Sequence, residues 1–262
     1  MNIEQFLNMS FDGKVALITG ASSGIGADAA RHLAKLGAKV SIVGRNEKRL
    51  NQVAEQIKSA GSPAPLVIVA DVTKDAQRIV DETIKHFGKL DVLLNNAGVV
   101  IQDNVAEINL SEFDRIFDTN VRSVITLTKL CIPHLEKAKG NIVNVSSIAG
   151  LKAIPNVLTY CMSKAALDQF TKCSALDLAS KGIRVNAINP AVIRTPIFQT
   201  VGVPVEAVEQ MFEEYKTKYP VGRVGEVADT SAAIAFLADN KTASFLTGIL
   251  FPVDGGSMVA GV

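Results

Sequence analysis

Short apolar runs of four to six residues alternate with longer amphipathic stretches along the whole chain. Residues 15–19, 39–43, 66–70, 92–94, 142–145, 184–188 and 249–251 read as seven short strands. Several are apolar at consecutive rather than alternate positions, as in strands covered on both faces of a parallel sheet. Helical spacing occupies 26–35, 47–59, 74–86, 112–136, 158–179 and 227–238 between them. The strand, helix, strand repetition predicts an open, doubly wound α/β sheet with helices on both faces.

One interval breaks the regular spacing. Residues 190–225 carry Pro190, Pro196, Pro204 and Pro220 and one helical piece at 205–218, so they read as a lid or binding loop set into the fold. With no linker, low-complexity tract or internal repeat, the expectation is a single domain over residues 1–262 with this insertion. At 48% hydrophobic residues there is ample material for a core. The 27 basic and 26 acidic side chains give a net charge of +1, which points to neither nucleic acid nor anionic lipid as a partner. A basic stripe with interleaved aromatics, the mark of a nucleic-acid binder, is absent from a chain with no Trp and three Tyr.

The apolar runs fall far short of the roughly 20 residues that cross a bilayer, and no basic region precedes a long apolar segment at the start. A cytoplasmic location is the default expectation. Cys131, Cys161 and Cys173 are odd in number and form no CxxC pair, and His32, His86 and His134 are scattered. Neither a disulfide framework nor a metal site is expected.

The first strand leads into Thr19-Gly-Ala-Ser-Ser-Gly-Ile-Gly26 and then a helix. Gly20, Gly24 and Gly26 place no side chain between a phosphate and the backbone, and the helix turns its free N–H groups towards that space. This is a pyrophosphate cradle with TGxxxGxG spacing, formed by Gly20, Ser22, Ser23, Gly24, Ile25 and Gly26. Asn95-Asn96-Ala97-Gly98 follows the fourth strand, and Tyr160-Cys-Met-Ser-Lys164 opens a later helix. With these three motifs in this order, the chain from about residue 10 onward resembles the short-chain dehydrogenase/reductase family. The resemblance implies a Rossmann-type sheet, a nicotinamide cofactor, and a catalytic set carried over to Asn120, Ser147, Tyr160 and Lys164.

The residue chemistry points the same way. Tyr160 and Lys164, four apart, share one helix face about 40° from each other. A lysine there is expected to draw the tyrosine pKa down from about 10 by favouring the phenolate. Tyr160 is thus the expected acid/base on a substrate oxygen. Ser147, just past the fifth strand, can orient a carbonyl. By resemblance Asn120 would hold a water joining Lys164 to solvent; by itself it reads as an ordinary polar residue on a mostly apolar helix.

The second strand ends in Val43-Gly44-Arg45-Asn46, with no acid before Glu47. A carboxylate there would bind a ribose diol and repel a 2′-phosphate, whereas Arg45 offers a planar fork that suits the phosphate. This favours NADP(H), with Asn46 as a further polar contact; NAD(H) is the alternative, with Arg45 a solvated cation beside Lys48 and Arg49. By resemblance Asp71 and Val72 meet the adenine, although Asp71 equally suits a helix cap. Asn96, Ala97 and Gly98 would line the cofactor floor, and Asn95 either joins them or ties neighbouring strands. Pro190, Ile193 and Thr195 fit the nicotinamide end, where Ala191 replaces the family's frequent glycine.

The tail Val253-Asp-Gly-Gly256 resembles one found at tetramer interfaces in the family, so a homotetramer is expected, with a dimer as alternative. Val99, Val100, Ile101, Ile148, Ala149, Leu151, Ala153, Ile154 and Val157 flank the presumed pocket. The lid adds Ile197, Phe198, Val201, Val203, Met211 and Phe212. This apolar lining suits a steroid, isoprenoid or fatty-acyl carbonyl better than a sugar, and no dense cationic cluster stands ready for a carboxylate or a phosphopantetheine arm, for which Arg122 and Lys152 are the candidates. The chain is most similar to 3-oxoacyl-acyl-carrier-protein reductase-like members. The resulting expectation is an NADP(H)-dependent enzyme interconverting a carbonyl and an alcohol. A non-catalytic NADP(H)-binding sensor or scaffold is the alternative, and the intact Asn120, Ser147, Tyr160 and Lys164 argue against it.

Overall fold

Seven short strands form one parallel sheet, its central strands buried on both faces and its two edge strands partly open. The computed structural model describes residues 9–198 and 202–262. The strands are β1 (Val15–Thr19), β2 (Lys39–Gly44), β3 (Leu66–Val69), β4 (Val92–Asn95), β5 (Asn141–Val145), β6 (Arg184–Pro190) and β7 (Leu250–Val253), hydrogen-bonded in the order β3-β2-β1-β4-β5-β6-β7. The helices are α1 (Gly24–Lys35), α2 (Glu47–Ser59), α3 (Ala76–Phe87), α4 (Leu110–Phe117), α5 (Ser123–Ala138), α6 (Leu158–Ala179), α7 (Val205–Lys218), α8 (Val227–Ala238) and the short α9 (Ser257–Ala260).

Successive strand residues feed opposite cores, because side chains alternate across a sheet. Ala16 and Ile18 of β1 join Leu33 of α1, Leu50 of α2 and Ile234 of α8 on one face. Val15 and Leu17 join Ile79 of α3, Leu127 of α5 and Leu178 of α6 on the other. This is the doubly wound Rossmann-type sheet expected from the apolar runs. Strand order reverses between β1 and β4, and a crevice opens outside the carboxyl ends of strands at such a point.

Three expected helices differ in extent, the first only in starting at Gly24 rather than at 26. The helix anticipated from residue 74 begins at Ala76, because Asp71 and Asp75 close a turn first: Lys74 and Asp75 N–H groups donate to the Asp71 carbonyl at 3.0 and 2.8 Å. The helix anticipated over 112–136 is two helices joined by a π-helical turn, Asp118–Arg122. No Gly or Pro lies in that turn, so nothing local announces it. Its cause is tertiary, since Asn120 is drawn inward by the bonds described below.

Between β6 and α8, Val208 and Phe212 of α7 bury against Val224 in a small cluster of their own, bordered by Val192, Phe198, Val203, Met211 and Tyr215. Arg194 pins this segment, with its guanidinium 2.8 Å from Glu209 and stacked 4.3 Å over the Phe212 ring. Among the described residues no helix is long and apolar enough to cross a membrane.

Candidate active site

The β1–α1 turn is held from below by β4. The Asn96 amide donates to the Thr19 and Gly20 carbonyls at 2.8 and 3.2 Å, and the Thr19 hydroxyl accepts the Asn96 and Ala97 N–H groups at 3.0 Å. Gly20 has φ +65°, and a Cβ on Gly26 would fall 2.5 Å from the Gly20 carbonyl oxygen, so turn and helix approach to a distance only glycine allows. Ser23 begins α1 with no side-chain cap, and its first turn contains no acid. The N–H groups there are left for an outside acceptor, and the helix dipole favours an anion.

Above this turn runs a cleft of about 1560 Å³ along the carboxyl edge of the sheet. At one end stand Arg45, Asn46, Asp71 and Val72; in the middle Gly20, Ser22, Ser23, Gly24, Ile25, Asn96, Ala97 and Gly98; at the far end Ser147, Tyr160, Lys164, Pro190, Ile193 and Thr195. Segments from six different strand ends, β1 to β6, thus put the expected residues along one wall. Gly26 and Asn120 stand just behind it. Asn95 lies within the sheet, 2% exposed, and its amide donates to Asn144 at 2.9 Å, tying β4 to β5.

A dinucleotide fits what is present: a bare glycine turn, an uncapped helix start, and at one end a cation beside an acid. Burial raises the Asp71 carboxyl pKa, but hydrogen bonds from the Thr73 N–H and hydroxyl, together with the charges of Arg45 and Lys74, leave it below its ordinary value. Asn46 is partly committed, since its side chain accepts the Arg49 N–H at 2.9 Å and caps α2.

At the far end, β5 leads to Ser147, whose hydroxyl donates to the Pro190 carbonyl at 3.4 Å and accepts the Ala149 N–H at 3.1 Å. α6 carries Tyr160 and Lys164 on one face, with the ammonium 5.6 Å from the tyrosine ring centroid. The start of α6 is tied by Asp103, whose carboxylate accepts the Thr159 N–H at 3.1 Å. The Lys164 ammonium donates to the Val145 carbonyl at 2.8 Å. Behind Gly98, the Asn120 side chain accepts the Val99 N–H and donates to the Val99 carbonyl, both at 2.9 Å, and donates to the Ser163 hydroxyl at 3.0 Å. Asn120 therefore locks the loop after β4 to α6.

The electrostatics depart from the sequence expectation. Burial pushes the Tyr160 phenol up to about 12, although the Ser147 hydroxyl draws it back. Burial also lowers Lys164 to about 8, opposed by Asp168. The lysine does not pull the phenol down here, because its ammonium is turned to a backbone carbonyl and both groups are desolvated.

Of the expected apolar lining, Val99, Val100, Ile148, Ala149, Ala153, Ile154, Val157, Ile197, Phe198, Val203 and Met211 border the cleft. Ile101 and Leu151 do not, Phe212 is in the α7 cluster, and Val201 lies outside the described residues. Residues that the sequence did not flag include Gln102, Pro155, Val192, Tyr215, Tyr219 and the Ser257, Gly261 and Val262 turn. Tyr215 near the end of α7 and Tyr219 just past it, four apart, carried a periodic signal; the C-terminal turn carried none. Among the described residues no group of three or more His, Cys, Asp or Glu could hold a metal.

A glycine turn that delivers a helix start to the carboxyl edge of a parallel sheet, where strand order reverses, defines a dinucleotide-binding α/β protein. A family model described as enoyl-(acyl carrier protein) reductase matches residues 20–258. An uncharacterized oxidoreductase of Thermotoga maritima is 40% identical over 250 residues, 95% of this chain and 99% of that protein. A Caenorhabditis elegans short-chain dehydrogenase/reductase of unknown function, solved with cofactor, superposes with a TM-score of 0.92 at 37% identity, covering 95% of this chain and 96% of that one. The 3-ketoacyl-(acyl-carrier-protein) reductase of Brucella melitensis complexed with NADH superposes at 0.86 and 37% identity, covering 94% and 99%. The chain belongs to the short-chain dehydrogenase/reductase family of NAD(P)-binding oxidoreductases.

Proposed function

We propose that this protein is an NADP(H)-dependent carbonyl reductase acting on an apolar small molecule, with Tyr160 as the proton donor and Ser147, Lys164 and Asn120 completing the set. The observation that carries the reading is the convergence of Ser147, Tyr160 and Lys164 on the wall of the same cleft that holds the glycine turn. The dinucleotide, when bound, supplies the hydride. Gly20, Ser22, Ser23, Gly24 and Ile25 would hold its phosphates, Asn96, Ala97 and Gly98 would floor it, and Ile193, Thr195 and Pro190 would border its reactive ring.

Tyr160, at about 12, keeps its proton through neutral pH, which is the state a reduction needs. The Ser147 hydroxyl accepts the Ala149 N–H at 3.1 Å, and its proton is given only to a long 3.4 Å bond to the Pro190 carbonyl, so it can be turned to a substrate oxygen. Lys164 supplies positive charge behind the phenol as its proton leaves. Asn120 keeps the β4 loop and α6 at fixed separation, with Gly98 between them: a Cβ there would lie 3.4 Å from the Asn120 oxygen and 3.7 Å from the Lys164 nitrogen.

Arg45, exposed beside Ser22 and Asn46, supports NADP(H), while the NADH in the Brucella relative keeps the choice open to direct measurement. The apolar wall of Val100, Ile148, Ile154, Phe198 and Met211 supports a steroid, isoprenoid or fatty-acyl carbonyl. Segment 190–225 acts as the lid, and the protein assembles as a homotetramer.

The test is NADPH oxidation followed by absorbance against ketosteroids, isoprenoid aldehydes and β-ketoacyl thioesters, with NADH in parallel. Tyr160→Phe should reduce turnover by about 10³-fold or more and leave NADPH affinity unchanged. Turnover retained in that variant would remove Tyr160 from the chemistry.

A further inference from the structure

Behind the cleft wall lies a carboxylate that the proposed chemistry does not use. Asp168 is one turn beyond Lys164 on α6 and only 3% exposed, and groups from three elements meet on it. Asn189, near the end of β6, donates its amide nitrogen to both carboxylate oxygens at 3.0 and 3.1 Å. The same nitrogen donates to the Ser147 carbonyl at 2.9 Å. Ser146 also lies against the carboxylate, and its hydroxyl reaches the Lys164 carbonyl at 3.3 Å. The turn after Ser147 presses on this cluster: a Cβ on Gly150 would fall 2.2 Å from an Asp168 oxygen and 2.8 Å from the Lys164 carbonyl.

Stability does not call for this arrangement. With acceptors on both sides of its NH₂ group, the Asn189 amide has one workable orientation, and its own oxygen is buried without a partner. A buried carboxylate and an unpaired amide oxygen both cost free energy that an apolar pair of similar size would avoid. What the pair provides is rigidity between β5, β6 and α6, the elements that carry Ser147, Pro190, Tyr160 and Lys164.

We propose that Asp168 is a positioning residue, which through the Asn189 amide fixes the Ser147 backbone against α6 and keeps the Ser147 hydroxyl in register with Tyr160 and Lys164. The proposal rests on the acid–base reading above. Its charge has a second consequence. Burial lowers Lys164, and Asp168 opposes that; burial likewise raises Asp168, opposed by Ser146, Asn189, Lys164 and Lys172.

The experiment compares wild type, Asp168→Asn, Asn189→Ala and Tyr160→Phe by kcat, KM, NADPH affinity and pH profile, with folding checked by circular dichroism. Asp168→Asn should lower kcat by about tenfold to a hundredfold, since small misplacements carry such losses, with KM and NADPH affinity within about twofold. It should also move the alkaline limb of kcat to lower pH, because Lys164 loses a neighbouring negative charge. Asn189→Ala should lower kcat with that limb in place, since the charge remains. Wild-type kcat and pH profile in a folded Asp168→Asn would overturn the proposal. Should that variant not fold, wild-type kcat in Asn189→Ala would overturn it instead. Loss of activity in Tyr160→Phe beside no effect at Asp168 refutes this inference alone, whereas turnover in Tyr160→Phe refutes the acid–base reading itself.

Discussion

At the scale of single residues, the site sets chemistry against stability. Lys164 has an ordinary pKa of 10.5 that falls to about 8 in the folded chain, which corresponds to about 3 kcal/mol spent on holding an ammonium out of water. Below about 8 that cost is present in full; between 8 and 10.5 the unfolded chain binds the extra proton, so stability rises with pH through this window. Lys164→Met should therefore raise the melting temperature at pH 7 by what is left after the loss of its charged hydrogen bond to Val145, which is about 1.5–3 kcal/mol. The gain should vanish near pH 10.5, and thermal denaturation at the two pH values checks this. Arg45 is a second residue-scale case. Reversing its charge in Arg45→Asp should weaken NADPH binding about tenfold to a hundredfold more than NADH binding, as loss of a charge-assisted pair implies. Titration of both dinucleotides decides it, and equal losses would show that Arg45 does not meet a 2′-phosphate.

At the scale of elements, function depends on how closely backbone segments approach. α1 meets the β1 turn with no room for a side chain at Gly26, where the collision would be with the Gly20 carbonyl and the Asn96 amide that clamps it. Gly26→Ala should cost about 1–3 kcal/mol by forcing this junction apart. It should also weaken NADPH and NADH equally, unlike Arg45→Asp, because both share the phosphates; calorimetry and denaturant titration measure the two effects. The π turn at Asp118–Arg122 is an element-scale feature of another kind. Its extra backbone residue turns Asn120 inward, behind the cleft wall, where its side-chain bonds are made to residues far off in sequence.

At the scale of the whole molecule, the apolar side chains left at the surface bear on the proposed assembly. Leu176 on α6 is 81% exposed, and Phe245 before β7 is fully exposed, while Ile125 of α5 and Met162 of α6 are partly so. A homotetramer would cover such positions at two different faces. Light scattering on the purified protein should give about four times the chain mass of 27.8 kDa. Leu176→Arg should halve it by breaking one face. A wild-type mass of one chain would exclude the assembly.

The alternation of apolar runs and amphipathic stretches determined the sheet and its helices, because strands buried on both faces must be apolar throughout and helices must carry one apolar stripe. Thr19–Gly26, Asn95–Gly98 and the Tyr160, Lys164 pair were legible as well, since their chemistry lies in residue type and local spacing. Asn120 and Ser147 were singled out as candidates through the family resemblance alone. Only the tertiary structure decided what depends on distant neighbours: that Asn120 is a tie between β4 and α6, that Asn95 belongs to the sheet, and that Tyr215, Tyr219 and the 257–262 turn border the cleft. It also reversed the expected shift of Tyr160. A pKa is set by the solvent that folding removes and the charges it brings close, and neither is written in the spacing of two residues on one helix.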